Sequence, residues 1–424
     1  MSKLDELIRE LCPNGVEYKK IKDVFQRLKG TPITAAKMKE IASDNGEVRV
    51  FAGGKTVINA NEEDIPNANI IRVPAVLVQS RGVIDVIFYE KPFTFKNEMW
   101  AYTTSERTSV KFLYYILKNN IQSFRDAASG MGSLPQISLP VTEEFRIPVP
   151  PLEVQREIVR ILDNFTELTA ELTAELTARK KQYEFYRDKL LTFDVLGGGG
   201  TSKVVWRTLR ELGRWSGGKT PSMAENSYWA DGTYPWITSK DIKHSTLSDT
   251  QDHITKKAVE EAGMTIYPAN SIAIVTRSGI LKHTFPVSYI PFPTTVNQDI
   301  KMLVVNDDVM PRYAFHAIQG KGKDILKKTK KQGGTVDSLD FQKVLEYKVP
   351  VPPMEVQERL VKVLDNFDAI CSDLNIGLPA EIEARQKQYE YYRDKLLTFA
   401  SSGSTILTDR QTDRQTDSQT DRQG

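Results

Sequence analysis

"VPPLEVQREIVRILDNF" (149–165) returns later in the chain as "VPPMEVQERLVKVLDNF" (351–367), with 11 of 17 positions identical at an offset of 202. A second stretch, "RKKQYEFYRDKLLTF" (179–193), returns as "RQKQYEYYRDKLLTF" (385–399), with 13 of 15 identical at an offset of 206. Similarity at a fixed period marks an internal duplication. The change of offset puts four extra residues in the middle of the second copy. Weaker echoes extend the repeat upstream: "VEYKKIKDVFQRLKGTP" (16–32) answers "VVWRTLRELGRWSGGKTP" (204–221). "LVQSRGVI" (77–84) answers "AIVTRSGI" (273–280), and "GMGSLPQISL" (130–139) answers "QGGTVDSLDF" (332–341). The chain reads as two diverged halves, each a variable globular region followed by a well-matched segment.

The matched segments predict helices. Each opens on a proline pair and an acidic first turn, Pro150, Pro151 and Glu153 in one copy and Pro352, Pro353 and Glu355 in the other, which suits a helix N-terminus. Ile158, Ile161, Leu162, Phe165, Leu168, Leu172 and Leu176 recur every three or four residues, and Tyr183, Tyr186 and Leu190 carry the stripe onward. No glycine or proline interrupts it, so Leu152 to Thr192 is expected to form one helix about 60 Å long. It contains the tetrad TAEL twice in succession, at 169–176. The second copy has Gly377 and Pro379 in its middle, where a break or kink is expected. So long an apolar stripe needs a partner, and the other copy is the obvious one. Two equivalent helices in one chain are related by a pseudo-twofold axis only if they run antiparallel.

The globular regions read as mixed α/β, with short β-rich runs ("AVLVQS", "VIDVIFY", "SIAIVTR", "KMLVVN") among turns and helical stretches. The expected fold class is α+β: two mixed α/β domains separated by two long antiparallel helical spacer segments, with a pseudo-twofold internal repeat. The boundaries predicted are a first domain at 1–147, a first helical spacer at 148–194 and a linker at 195–203. A second domain follows at 204–349, a second spacer at 350–400 and a polar repeat tail at 401–424. That tail, built on "TDRQ", lacks the apolar content to fold and is expected to be disordered.

Composition excludes several classes. No apolar run approaches the roughly 18–20 residues of a membrane span, and the first residues carry charges where a signal peptide is apolar, so a cytoplasmic location and no membrane partner are expected. The cysteines Cys12 and Cys371 and the histidines His244, His253, His283 and His316 are too scattered for a disulfide framework or a zinc site. Net charge is only +2, although "KGKDILKKTKKQGG" (321–334) gathers six lysines. "GRWSGGKT" (213–220) matches the P-loop pattern letter for letter. A P-loop needs an apolar strand before it and a helix after it. Here the charged "RTLREL" precedes it and Pro221 follows, which favours a glycine-rich turn over a nucleotide site. No Asn/Asp-Pro-Pro-aromatic loop occurs, and no Ser/His/Asp or Cys/His set emerges. No catalysis is expected from this chain.

What remains are polar, aromatic and basic residues on loops at matching places in each half. In the first they are Gly53, Gly54 and Lys55, then Arg81, Lys96 with Asn97, and the 130–136 turn. In the second they are Lys219 and Thr220, then Trp236, Ser239 and Lys240, then Arg277 with Ser278, Asn297 with Gln298, and Lys330, Lys331 and Gln332 before a glycine pair. Arg, Lys, Asn and Gln can read base edges in a DNA major groove, and glycine lets backbone approach phosphate.

These marks together resemble the specificity subunits of type I restriction-modification systems. The resemblance runs from about Val16 to Phe399 and rests on the paired "VPP" and "YRDKLL" segments, "GGKTPS" with "YPWITSKDI", and the TAEL tetrads. It implies two target-recognition domains, each reading one half of a split site in double-stranded DNA. It also implies two modification (methyltransferase) subunits docked on the helices, and restriction subunits that translocate and cleave. S-adenosylmethionine, ATP and magnesium would reside on those partners, with no cofactor in this chain. The residues left two alternatives standing, a protein-interaction scaffold and, less favoured, a P-loop nucleotide-binding protein.

Overall fold

A computed structural model of the chain describes residues 2–54, 56–129, 134–193, 204–331, 336–372 and 377–402, the last three as backbone only. The predicted linker at 195–203 and all but the first two residues of the predicted tail lie outside the described residues. Two compact units result, Met1–Ala170 with Ala384–Gly424, and Glu171–Glu383.

The first unit begins with α1 (Lys3–Leu11), started by a capping box in which the Ser2 hydroxyl accepts from Asp5 N and the Asp5 carboxylate accepts from Ser2 N. Then come β1 (Tyr18–Lys20), α2 (Ile21–Val24), β2 (Gln26–Leu28), α3 (Ala35–Glu40), β3 (Val48–Phe51) and β4 (Val57–Ala60). Next are β5 (Ala75–Gln79), β6 (Asp85–Tyr89), β7 (Phe93–Phe95) and β8 (Trp100–Thr103). The domain closes with α4 (Arg107–Asn119), α5 (Ile121–Asp126), α6 (Leu139–Glu143) and β9 (Arg146–Pro148). An antiparallel four-stranded sheet has the order β2-β8-β5-β6, and a three-stranded sheet has the order β4-β3-β7 with β3 and β7 parallel. The pair β1-β9 ties the two ends of the domain together. All five residues of β5 are buried, as a run without alternation requires of a central strand.

The second unit repeats this plan strand for strand. Its elements are β10 (Val205–Thr208), β11 (Gly213–Gly217), β12 (Tyr234–Ile237), β13 (Asp252–Ile254), α8 (Lys256–Glu261), β14 (Ser271–Val275), β15 (Val287–Ile290), β16 (Thr295–Val296) and β17 (Ile300–Val305). They continue as α9 (Pro311–Gly320), α10 (Gly322–Thr329), α11 (Phe341–Leu345) and β18 (Lys348–Val351). The sheets run β11-β17-β14-β15, β13-β12-β16 with β12 and β16 parallel, and β10-β18. The duplication therefore holds in topology where the two sequences have diverged.

The first spacer is one uninterrupted helix, α7 (Leu152–Thr192), as its stripe requires. It passes from the first unit to the second between Ala170 and Glu171, inside the TAEL run. The second spacer is two helices, α12 (Met354–Ser372) and α13 (Leu378–Ser402), with Gly377 and Pro379 at the start of α13. In the first unit, Leu396, Leu397 and Phe399 of α13 join the core that holds Val154, Ile158 and Leu162 of α7. In the second, Tyr183, Leu191 and Phe193 join the core that holds Leu360, Val361 and Leu364 of α12. Each unit thus pairs the start of one copy's spacer with the end of the other's, the crossing that antiparallel copies give.

One expectation is corrected. The first five residues of "GRWSGGKT" are not a turn: Gly213–Gly217 is the strand β11, paired along its length with β17, and only Gly218–Thr220 form a loop. A Cβ at Gly218 would collide with the Val296 carbonyl, and one at Gly30, its counterpart, with the Phe95 carbonyl. The glycine serves a close strand approach, and no helix follows to bind phosphate.

Candidate nucleic-acid interface

The second unit gathers its candidate residues at adjoining strand ends. Lys219 and Thr220 leave β11, where Lys219 N donates to the Val296 carbonyl (3.0 Å) and the Thr220 hydroxyl donates to Gln298 Oε1 (2.6 Å). Ser239 and Lys240 follow β12, whose Ile237 carbonyl accepts from Asn297 N (3.0 Å). Arg277 follows β14 and lies 3.5 Å from the Asp299 carboxylate, while Thr276 N donates to the Asp299 carbonyl (2.8 Å). The Lys331 run is joined on by Lys331 N donating to Ser338 O (2.9 Å), Ser278 N to Asp337 O (3.0 Å), and a bridge between Arg277 and Ser338. Lys219, Thr220, Lys240, Arg277, Gln298 and Lys331 are exposed.

The first unit builds the same arrangement with different side chains. Gly54 N donates to the Arg81 carbonyl (3.2 Å), Gln79 Nε2 donates to the Gly54 carbonyl (2.9 Å), and Arg81 bridges Gln136. Lys96 N donates to Phe51 O (3.0 Å), and its ammonium pairs with Glu98 (3.1 Å). Gly82 N donates to Pro135 O and Ile137 N to Ser80 O, as Ser278 N does to Asp337 O and Leu339 N to Thr276 O in the second unit. Arg81 and Asn97 are exposed.

The structure separates the candidates. Trp236 does not sit on the loop surface: it is 6% exposed, its indole N–H donates to the Lys219 carbonyl (3.1 Å), and its ring packs edge-on against Trp229 at 5.0 Å. It positions the Lys219 loop from within. Asn297 is also buried, its amide oxygen accepting from Asp299 N (3.1 Å), which leaves Gln298 as the exposed member of that pair. Lys330 is already engaged, pairing with Asp337 (3.1 Å) and donating to Leu281 O (3.3 Å). Lys55, Gln332 and the 130–133 part of the first turn lie outside the described residues. Sequence reasoning missed Glu98 and Asp299, the carboxylates that hold Lys96 and Arg277; their signal was their common place after "KN" and "NQ" in the two halves.

A polar clamp joins each domain to its spacer. In the first unit Asp163 of α7 accepts from Lys111 Nζ (2.8 Å) and from the Tyr115 hydroxyl, both on α4. In the second, Asp365 of α12 accepts from Arg312 Nε (2.9 Å) and stands 2.7 Å from His316 Nε2, both on α9. Burial pushes the His316 pKa below its usual value. Burial also works to raise Asp365, but the hydrogen bonds from His316 and Arg312 outweigh it and hold the carboxyl below its usual range.

Residues 13–179 and 201–384 each match the family described as "Type I restriction modification DNA specificity domain". The chain is 44% identical over 298 residues to the Escherichia coli type I restriction enzyme EcoR124I/EcoR124II specificity subunit, spanning 69% of this chain and 72% of that one. It is 30% identical over 326 residues to a putative type I restriction enzyme specificity subunit of Haemophilus influenzae, spanning 73% and 77%. Its fold resembles the crystal structure of the type I restriction-modification S subunit from M. genitalium, with TM-score 0.58 at 18% identity over 91% of this chain and 96% of that one.

Proposed function

The chain belongs to the specificity subunits of type I restriction-modification systems, and from that premise we propose that each recognition domain reads one half of a bipartite DNA site through the loops described above. The chain is the non-catalytic subunit with two target-recognition domains, and it acts in a complex with other subunits and DNA. Reading one half-site is assigned to the set around Gly54, Arg81, Lys96 and Asn97, and the other to the set around Lys219, Thr220, Lys240, Arg277 and Gln298. The observation that carries this is the double convergence: the same strand ends, on sheets of the same order, present different hydrogen-bonding side chains. Shared topology suits one docking geometry, and diverged loops suit two different sequences.

The near-identical spacers suit two copies of one partner, so two modification subunits would dock on them, with restriction subunits joining the assembly. S-adenosylmethionine, ATP and magnesium would be bound by those subunits. Among the described residues no cluster of three or more His, Cys, Asp or Glu is placed to hold a metal ion. No helix among them is long and apolar enough to cross a membrane.

The test is binding of the chain with its modification partner to DNA carrying a bipartite site. Affinity that falls steeply with salt and depends on both half-sites supports the proposal. Binding indifferent to DNA sequence, with retained protein partners, supports a protein-interaction scaffold instead.

A further inference from the structure

Beside the Arg277 loop, the second unit carries a concave surface lined by Lys282, Lys323, Lys327, Lys330 and Lys331, with Leu281, Leu326 and Asp337. Lys323 and Lys327 stand one turn apart on α10, so both ammonium groups lie on one helix face beside Lys330 and Lys331. Lys330 is taken by Asp337, and Lys323 reaches Glu184 only at 3.7 Å with its side chain almost fully exposed. Lys282, Lys327 and Lys331 are exposed and have no carboxylate partner among the described residues. Like charges gathered on one face repel one another, and a polyanion laid across them removes the repulsion.

The first unit lacks this feature although its fold is the same. The offset of 201 that relates Lys111 to Arg312 and Tyr115 to His316 places Gln122 opposite Lys323 and Asp126 opposite Lys327. On α5 these two bond to each other, Gln122 Nε2 donating to Asp126 Oδ1 (2.8 Å). The cation beside them, Arg125, donates to the Ile84 carbonyl (3.2 Å). A face with no net charge, Arg125 offsetting Asp126, thus stands in one domain where the other has a lysine face.

We propose that the lysine concavity of the second domain binds the phosphodiester backbone of DNA beside the half-site that domain reads, making the two domains unequal: both read bases, and the second adds a charge anchor that the first lacks. The proposal rests on the reading of this chain as a DNA-binding subunit. Position supports it, because the concavity is continuous with the recognition loops through the Asp337–Ser338 segment, which hydrogen-bonds to both Ser278 and Lys331. Its chemistry is that of phosphate, since flexible ammonium groups in an open groove match a repeating anion and carry no base-reading geometry.

The experiment measures DNA affinity of the complex with its modification partner across a salt series, for cognate and half-site-altered duplexes. In a Lys282→Gln, Lys323→Gln, Lys327→Gln variant the slope of log affinity against log salt is expected to become shallower by about 2 to 3, at about 0.9 for each phosphate no longer neutralised. All duplexes should weaken by the same factor, leaving the preference between them unchanged. The converse variant, Gln122→Lys with Asp126→Lys in the first domain, should steepen the slope. An unchanged slope in the first variant, or a changed preference between duplexes, overturns the proposal. If the unaltered complex shows no salt-dependent DNA binding, the DNA-binding reading itself falls, and this proposal with it.

Discussion

Phe165 of the first spacer stacks on Tyr392 of the second, with ring centroids 5.6 Å apart and planes 23° from parallel. Phe367, the counterpart of Phe165, stacks in the other unit on Tyr186, the counterpart of Tyr392, at 5.9 Å and 25°. Two residues from one copy and two from the other exchange places, so each compact unit is completed by a helix end belonging to the other half of the sequence.

Reciprocity makes the two stacks separately testable. Phe165→Ala is expected to cost the first unit about 1–2 kcal/mol, below the figure for a fully buried ring because both partners are partly exposed. Hydrogen exchange should then rise at 389–399, with 183–193 unaffected. Phe367→Ala should give the converse pattern. Equal loss of protection at both places in either variant would contradict the two-unit division.

The clamps differ in one group that titrates near neutral pH. His316 is fully buried with its pKa lowered from 6.5, so an unfolded chain takes up a proton there that the folded chain resists. Its stabilising contribution is complete above about pH 6.5 and is lost as pH falls below it; Asp365, also lowered, weakens in the same direction at still lower pH. Tyr115 takes the place of the histidine in the first unit; a tyrosine does not titrate near neutral pH, and burial raises its pKa further. Acidification from pH 7.5 to 5.5 is therefore expected to loosen the second unit first, as measured by exchange at 311–320 and 354–372. His316→Gln should flatten that dependence; a dependence that persists in the variant assigns it elsewhere.

Loop substitutions should alter half a site at a time. Arg277→Ala or Gln298→Ala is expected to relax one or more base pairs in one half-site, at about 1–3 kcal/mol for each bidentate pairing removed, and to leave the other half unchanged. Asn97→Ala should affect only the opposite half. Mapping the methylated sites produced by each variant with its partners checks this, and a variant that relaxes both halves counts against independent reading.

The helices were legible because a stripe of period 3.6 over forty residues has one solution, and Gly377 with Pro379 announced the one interruption. The sheets were not. Strands of two to six residues such as β16 carry no period that names their neighbour, and the parallel pairings β3-β7 and β12-β16 join segments about 45 to 60 residues apart. Trp236 shows how a site residue was misplaced. "YPWITSKD" reads as a polar, aromatic loop, yet β12 turns Trp236 inward, so an aromatic suited to stacking on a base serves the core. The echo of "LVQSRGVI" with "AIVTRSGI" was more informative than its similarity suggested, since in both units that segment bridges the matching later stretch, Arg81 with Gln136 and Arg277 with Ser338.

The division of labour between loops and helices is most directly tested by deleting one TAEL tetrad, residues 169–172, and sequencing the methylated sites made by the variant with its partners. Four residues of helix amount to about 6 Å of length and about 40° of rotation, against about 3.4 Å and roughly 34–36° per base pair of B-DNA. The account predicts that both half-sites keep their letters while the unspecified gap between them shortens by one or two base pairs. Altered half-site letters across an unaltered gap would contradict it.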